Sequence, residues 1–374
     1  MAGGNRLMGN PVIRALTRAD KDKMRDLLMT REGLNGEGAE KRLQSVEWIA
    51  FNNPHANGEP TYFIAEDDGK IIAHLGRMPM EFIIKGQACK GYYIHDLYVH
   101  PDYRAKGLGL FISNALYKAV EANSDSFCCL VWTTKLNLEI QRRRGYHETA
   151  SDRYYKFYNP YSKVRKVISC EAPTRVISWV MRHILNAADV LVMRLTSARV
   201  QVVRIKNVDS RFDRFAEKIA PKLNVCPIKT SAYLNWRFLK LPFANMELLA
   251  ACKNGDILGY TVVSINSDER YPEGTLVDIM ADPDDLNTII SLYKSAMSYF
   301  REKNVAVVRC CLTDKRFAKL LKRFLFFRDF LKQDPVMLTN LEKCTHADLL
   351  KDIHNWHVTC SASDEIMLEA MVKP

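Results

Sequence analysis

The chain has 374 residues, of which 47% are hydrophobic and 26% charged, and its formal net charge is +11 at pH 7. That length exceeds what one small core serves, so two domains and a connector are expected. The ordinary balance of apolar and charged residues speaks against a disordered chain or a membrane bundle. The charge calls for anionic partners, among them nucleotide phosphates, nucleic acid or an acidic membrane face, without choosing between them.

Residues 1–11 lack the apolar run of a secretory signal, which predicts a cytoplasmic protein. The ten cysteines show no CxxC spacing and lie in apolar runs, as reduced core thiols do. PVIRAL (11–16) reads as a short strand, and two helical stretches follow at 18–30 and 38–51, with Thr17 as a cap for the first. Residues 61–86 carry two β-rich runs around Asp68-Gly69, a hairpin signal, and lead through QACKGYYIHDLYV (87–99) into VHPDYRAKGLG (99–109). A helix over 107–122 and a short apolar strand in SFCCLVWTT (126–134) then predict a right-handed parallel crossover.

Residues 161–215 contain no glycine and are basic and helical in character, a connector between domains. Within it, VISWVMRHILNAADVLVMRL (176–195) is broken by Arg182, His183, Asp189 and Arg194 short of the ~20 clean residues of a span, so no integral membrane segment is expected. Its Trp179, Ile184, Leu185, Leu191 and Leu195 suggest an interdomain or homodimer core, ahead of a membrane-surface anchor.

After the connector the pattern returns. MELLAACKNGDILGYTVVSI (246–265) turns at Asn254-Gly255, and TLVDIMADPDDLNTIISLYKSAM (275–297) echoes residues 94–120. Asp96 precedes Pro101 by the interval that separates Asp278 from Pro283, but the step from aspartate to helical tyrosine is 21 residues to Tyr117 and only 15 to Tyr293. The six missing residues are the glycine loop, so this is a two-copy repeat with the loop in one copy. The expected domains are 11–160, the connector 161–215, a degenerate second unit at 216–345, and a tail at 346–374 that docks Trp356 on the second unit. The tail cluster Cys344, His346, His354, His357 and Cys360 fits no familiar zinc spacing, and no metal is expected.

A strand that turns into a helix leaves the first helical N–H groups unpaired and pointing one way, which is an anion site. Glycines at 107 and 109 let a bulky ligand approach the backbone, and Arg104 and Lys106 add positive charge. The Walker loop needs Gly-Lys-Ser/Thr, which is absent, and the dinucleotide fingerprint needs a small residue where Ile112 stands. The remaining pattern, Val-x-Pro-x-Tyr-Arg-x-x-Gly-x-Gly, resembles the acetyl-CoA-binding motif of the GNAT N-acyltransferase superfamily, with Arg104, Gly107 and Gly109 at its core.

The resemblance implies an α/β fold of two tandem GNAT-like units with mixed sheets, in which the signature strand and the next parallel strand splay apart around the pantetheine arm of acetyl-CoA. Arg104, Ala105, Lys106, Gly107, Leu108 and Gly109 would hold the pyrophosphate, and the backbone at Leu97 and Val99 the pantetheine. Thr134 and Asn137 would touch the cofactor arm. Asp96 is the candidate base; the alternative is an aspartate that orients a loop or pairs with His95 or an arginine. The usual acid, a tyrosine on the helix after the second parallel strand, is replaced by Gln141. Tyr146, Tyr98, Tyr92 or water would then protonate the thiolate, with Tyr146 the catalytic candidate. The layout is also similar to that of bacterial acyltransferases found with polysaccharide biosynthesis. It implies N-acetyl transfer to a small-molecule primary amine, an amino sugar among the acceptors. The competing readings are a non-catalytic acyl-CoA-binding scaffold and, behind it, a nucleic-acid-binding or -modifying protein; the basic aromatic segments lack any RNA-binding pattern, and no nucleic-acid partner is expected.

Overall fold

The computed structural model describes residues 11–105, 107–131, 134–242, 245–266, 271–329 and 336–362. The first half contains β1 (Val12–Ala15), α1 (Lys21–Met29), α2 (Gly36–Asn52), β2 (Tyr62–Asp67), β3 (Lys70–Ile84), β4 (Gln87–Val99), α3 (Leu108–Ala122), β5 (Phe127–Val131), α4 (Lys135–Arg143), β6 (His147–Ala150) and β7 (Arg153–Phe157). Next come α5 (Tyr161–Val167), α6 (Glu171–Leu195), β8 (Gln201–Ile205), α7 (Ser210–Ile219), β9 (Val225–Pro227) and α8 (Ser231–Leu234). The second half continues with β10 (Met246–Lys253), β11 (Asp256–Asn266), β12 (Glu273–Ala281), α9 (Leu286–Glu302), β13 (Val307–Cys311), α10 (Lys315–Arg323), β14 (Phe327–Arg328) and β15 (Val336–Asn340).

Local chemistry sets the hairpins. Asp68 and Gly69 have φ of 50° and 75°, and Asn254 and Gly255 have φ of 52° and 87°, the paired left-handed residues that a two-residue turn between twisted strands needs. The registers close accordingly, Asp67 against Lys70 and Lys253 against Asp256.

The strands form two mixed sheets with the same internal order. One runs β1-β2-β3-β4-β5-β15-β6, with β9 added along β3; the other runs β8-β10-β11-β12-β13-β7-β14. In each, the strand beside the parallel pair is borrowed. β7 follows the first half in sequence but pairs antiparallel with β13, and β15 follows the second half but pairs antiparallel with β5 and β6. The halves therefore complete each other's sheets. This exchange crosses the boundaries expected from sequence: residues 153–157 lie in the second sheet and 336–340 in the first.

The connector is also shorter than expected. QVVRI alternates as an edge strand does and, as β8, pairs with β10, while α7 buries Phe212, Phe215 and Ile219 in the large core that lies between the two halves. That core also holds Trp356, edge-on to Phe82 and Phe127 of the first sheet. The tail's tryptophan thus sits between the halves: its ring packs on the first, while its backbone bridges Val225 and accepts from Thr313 Oγ1 of the second unit, the one expected from sequence. The indole N–H groups of Trp48 and Trp236 each donate to the other residue's carbonyl, closing the seam. In α6, Leu185 is half-buried, whereas Trp179, Ile184, Leu191 and Leu195 are exposed and form no interdomain core.

Leu338 of β15 is fully buried in the core beneath α3. Leu338→Ala should cost about 2–4 kcal/mol, and calorimetry should show both halves melting in one transition. Two separate transitions, with only one shifted, would contradict the mutual dependence of the sheets.

Candidate active site

The site begins where β4 leaves its parallel neighbour. Gly91, Tyr92 and Tyr93 pair with Phe127, Cys128 and Cys129, and the parallel ladder stops there although β4 runs on to Val99. Farther along, Gly76 pairs with His95 and His74 with Tyr98, so that Leu75 alone stands opposite both Asp96 and Leu97. This is a β-bulge, which bends the strand and re-aims its side chains. Asp96 takes the strained position, with φ of 54°.

Ion pairing compensates that strain. The Asp96 carboxylate is buried and accepts from Arg42 and, at 3.3 Å, from Arg31; His74 Nδ1 lies 3.7 Å away and Tyr62 Oη donates at 3.4 Å. Burial alone would favour the neutral acid, but the opposing field, Arg42 foremost, holds the carboxyl well below the ordinary aspartate value. Asp96 is therefore a fixed anion. Such a group is a weak base, and it does not line the cavity described next; the arginine pairing raised as the alternative from sequence is what the geometry presents. His74 is its complement, kept neutral because burial pushes its pKa down to about 4.

Beyond β4 the chain turns through a short 3-10 segment into α3. Arg104 Nε donates to the Val99 carbonyl at 2.9 Å, and Leu108 N donates to the Ala105 carbonyl at 3.1 Å, so the loop folds back on the strand end. Gly107 caps the helix with φ of 79°, a left-handed conformation, and contributes no side chain. A Cβ on Gly109 would lie 3.2 Å from the Arg104 Cα, so the turn is close-packed on its inner side. With Leu108 N taken by Ala105, the first-turn amides of α3 beyond Leu108 are left to a ligand. The second half offers a contrast. Only residues 282–285 separate β12 from α9, and Asp285 caps that helix itself, accepting from Thr288 N at 3.1 Å. There the anion position is filled by the protein's own carboxylate.

A cavity of about 820 Å³ opens between the end of β4, α3 and α4. Of the residues expected at the cofactor, Leu97, Val99, Arg104, Gly107, Gly109, Thr134 and Asn137 line it. Ala105 and Leu108 do not, serving the turn instead, and Lys106 lies outside the described residues. Thr134 caps α4 by accepting from Asn137 N, and the Asn137 carbonyl oxygen accepts from Tyr117 Oη and Gln141 Nε2, each at 3.1 Å. Gln141 is thus buried beneath the cavity as an orienting amide.

Sequence reasoning missed much of the lining. Leu110, Ser113, Asn114 and Lys118 enter along one face of α3, and Ile140, Arg143 and Arg144 along α4. The signal was present in the i, i+4 spacing of Leu110, Asn114 and Lys118. The lining sets four cations, Arg104, Lys118, Arg143 and Arg144, against one carboxylate, Glu139; Arg143 pairs with Glu139 and Arg144 with Glu121, and the remaining positive balance suits an anionic ligand. Tyr98 also lines the cavity, its hydroxyl 3.1 Å from Thr30 Oγ1 and its ring under the guanidinium groups of Arg31 and Arg104. Tyr146 does not: it is buried, donates to Glu121 at 2.8 Å, and burial together with that carboxylate raises its pKa well above the ordinary value. Tyr92 is likewise committed, to Asp125.

Two outcomes follow from this geometry. Gly107→Val forces a β-branched residue into the left-handed region and moves the helix terminus, so coenzyme A affinity should fall at least about tenfold by calorimetry; unchanged affinity would remove the loop from the site. For His74, the unfolded imidazole gains its proton near pH 6.5 and the folded one only near 4. Stability should therefore fall as pH drops through that window, by about 3 kcal/mol when fully developed. His74→Gln should flatten the pH dependence of the urea midpoint there, and an unaltered slope would contradict the burial of a neutral imidazole.

Comparison with known proteins agrees with this geometry. No curated protein matches the chain. Among solved structures, a GCN5-related N-acetyltransferase from Anabaena variabilis superposes with a TM-score of 0.60 at 11% identity, over 88% of this chain and 72% of that one. A probable N-acyltransferase from Enterococcus faecalis gives 0.60 at 13%, over 90% and 73%. Saccharomyces cerevisiae N-myristoyltransferase with bound myristoyl-CoA gives 0.54 at 13%, over 89% and 82%. At such identities these are likenesses of fold. Residues 22–143, which contain the bulged strand, the glycine loop and α3, match the acetyltransferase (GNAT) family, and that match supports acyl transfer from an acyl-CoA as the chemistry of this chain.

Proposed function

We propose that the protein moves an acetyl group from acetyl-CoA to a small-molecule primary amine, with amino sugars the acceptors to try first. One observation carries this reading: the end of β4, beyond its ladder with β5, and the glycine-capped terminus of α3 line a single cavity. A diphosphate would rest on the amides at Gly107 and Gly109, with Arg104 beside it. The pantetheine arm would run along the free edge of Leu97 and Val99, past Asn137.

In the reaction the amine nitrogen bonds to the thioester carbonyl carbon, the carbon–sulfur bond breaks, the nitrogen sheds a proton and the thiolate gains one. Holding the two reactants in one cleft supplies much of the rate. Tyr98 is the tyrosine at the cavity among the described residues and the residue we assign to protonating the sulfur, oriented through its hydroxyl by Thr30. Asp96 acts as a positioning residue: its carboxylate fixes the bulge that aims Leu97 and Tyr98, while water in the open cleft takes the amine's proton.

A second reading, an acyl-CoA-binding protein without turnover, draws support from Gln141 at the usual acid position and from Asp96 being tied up in ion pairs. Release of free thiol from acetyl-CoA with a panel of amines, run beside calorimetry of coenzyme A binding, separates the two. Turnover is expected; binding without thiol release favours the second reading, and no binding removes both. Tyr98→Phe should lower kcat about a hundredfold while the KM for acetyl-CoA stays within about threefold. An unchanged kcat would pass the proton donor's role to water.

A further inference from the structure

Helix α6 is amphipathic the wrong way round for a helix of a water-soluble surface. Thr174, Ser178 and Asp189 face the protein, where Asp189 is buried in ion pairs with Lys156 and Arg301. Val176, Val180, Ile184 and Leu191 face outward at helical spacing, with Trp179 beside them and Leu195 at the end; Ile184 is 63% exposed, Trp179 63% and Leu195 75%. An apolar stripe of this extent on about 37 Å of helix marks an interaction surface.

Charge decides what covers it. Residues 161–200 hold seven lysines and arginines against two acidic residues, Glu171 and the buried Asp189. Arg165, Lys166, Arg175, Arg182 and Arg194 are exposed, on or just before the helix that carries the stripe. A second copy would bring a like-charged rim against this one, whereas anionic headgroups beside acyl chains complement both the rim and the stripe. Although α6 is apolar and long enough to span a bilayer by composition, its inner face is tied to the second half through Asp189, so it would lie in the interface and not cross it. We infer that α6 docks the protein on the surface of an anionic bilayer, with Trp179, Ile184 and Leu191 entering the headgroup and acyl boundary.

The test is co-sedimentation of the full chain with phosphatidylcholine vesicles, with and without phosphatidylglycerol, alongside sedimentation equilibrium of the protein alone. The wild type should bind the anionic vesicles, bind the neutral ones at least about tenfold more weakly, and bind less at high salt. The double substitution Ile184→Asn with Leu191→Asn, and independently Arg182→Glu with Arg194→Glu, should each weaken anionic binding at least about tenfold. Because these side chains are exposed, circular dichroism melts should stay near the wild type's. Absence of binding to anionic vesicles, binding that either pair of substitutions leaves intact, or a stable dimer that the asparagine pair dissociates would each overturn the proposal. Coenzyme A association of the variants, measured separately, reports on the cavity and leaves the two readings distinguishable.

Discussion

A buried carboxylate sets the geometry on which the site depends. Asp96 sits in the left-handed region in the middle of a long strand, a conformation that costs a non-glycine residue about 1 kcal/mol or more. Arg42 and Arg31 converge on it from the α1–α2 layer, and the neutral His74 packs behind. Placing that charge off the water-accessible cavity makes it an anchor for the backbone. The bend it stabilises lies just past the point where β4 loses β5, and the strand edge thereby freed lines the cavity beside α3.

A bulge recurs in the second half, where the β11–β12 register slips next to Asp278 and Lys229 pairs with that aspartate, but without the left-handed backbone of Asp96. The bulge therefore outlasts the binding site. What the second half lacks is the loop and a bare helix terminus: Asp285 already satisfies α9, so a phosphate would meet a carboxylate where α3 offers glycine. With β7 and β15 exchanged, the second half still contributes to the first by supplying a strand to its sheet. It acts there as a structural partner.

Much of this was legible in the sequence because it is local. The Asp-Gly and Asn-Gly hairpins, the strand-loop-helix passage through Gly107 and Gly109, and the matched Asp-to-Pro intervals are all short-range patterns whose geometry follows from backbone sterics. The exchange of β7 and β15 was not, because a period-two apolar strand says which face is buried but not which sheet receives it. Tyr146 was equally ambiguous: spacing placed it near the end of α4, but only the packing of Glu121 against its hydroxyl turned it from the cavity. The lining by Ser113, Asn114, Lys118, Arg143 and Arg144 depends on how α3 and α4 face one another, a tertiary fact. From sequence the apolar positions of α6 suit an interdomain or homodimer core or a membrane-surface anchor alike, because composition does not record direction; their exposure removes only the interdomain core.

Anion binding by main-chain amides at the start of α3 is the interaction on which cofactor binding depends. Its most direct measurement is a structure of the protein with coenzyme A. The diphosphate oxygens should lie within hydrogen-bond distance of the Gly107 and Gly109 amides, with the pantetheine along the end of β4. A diphosphate held elsewhere, by side chains of α4 or at the terminus of α9, would contradict it.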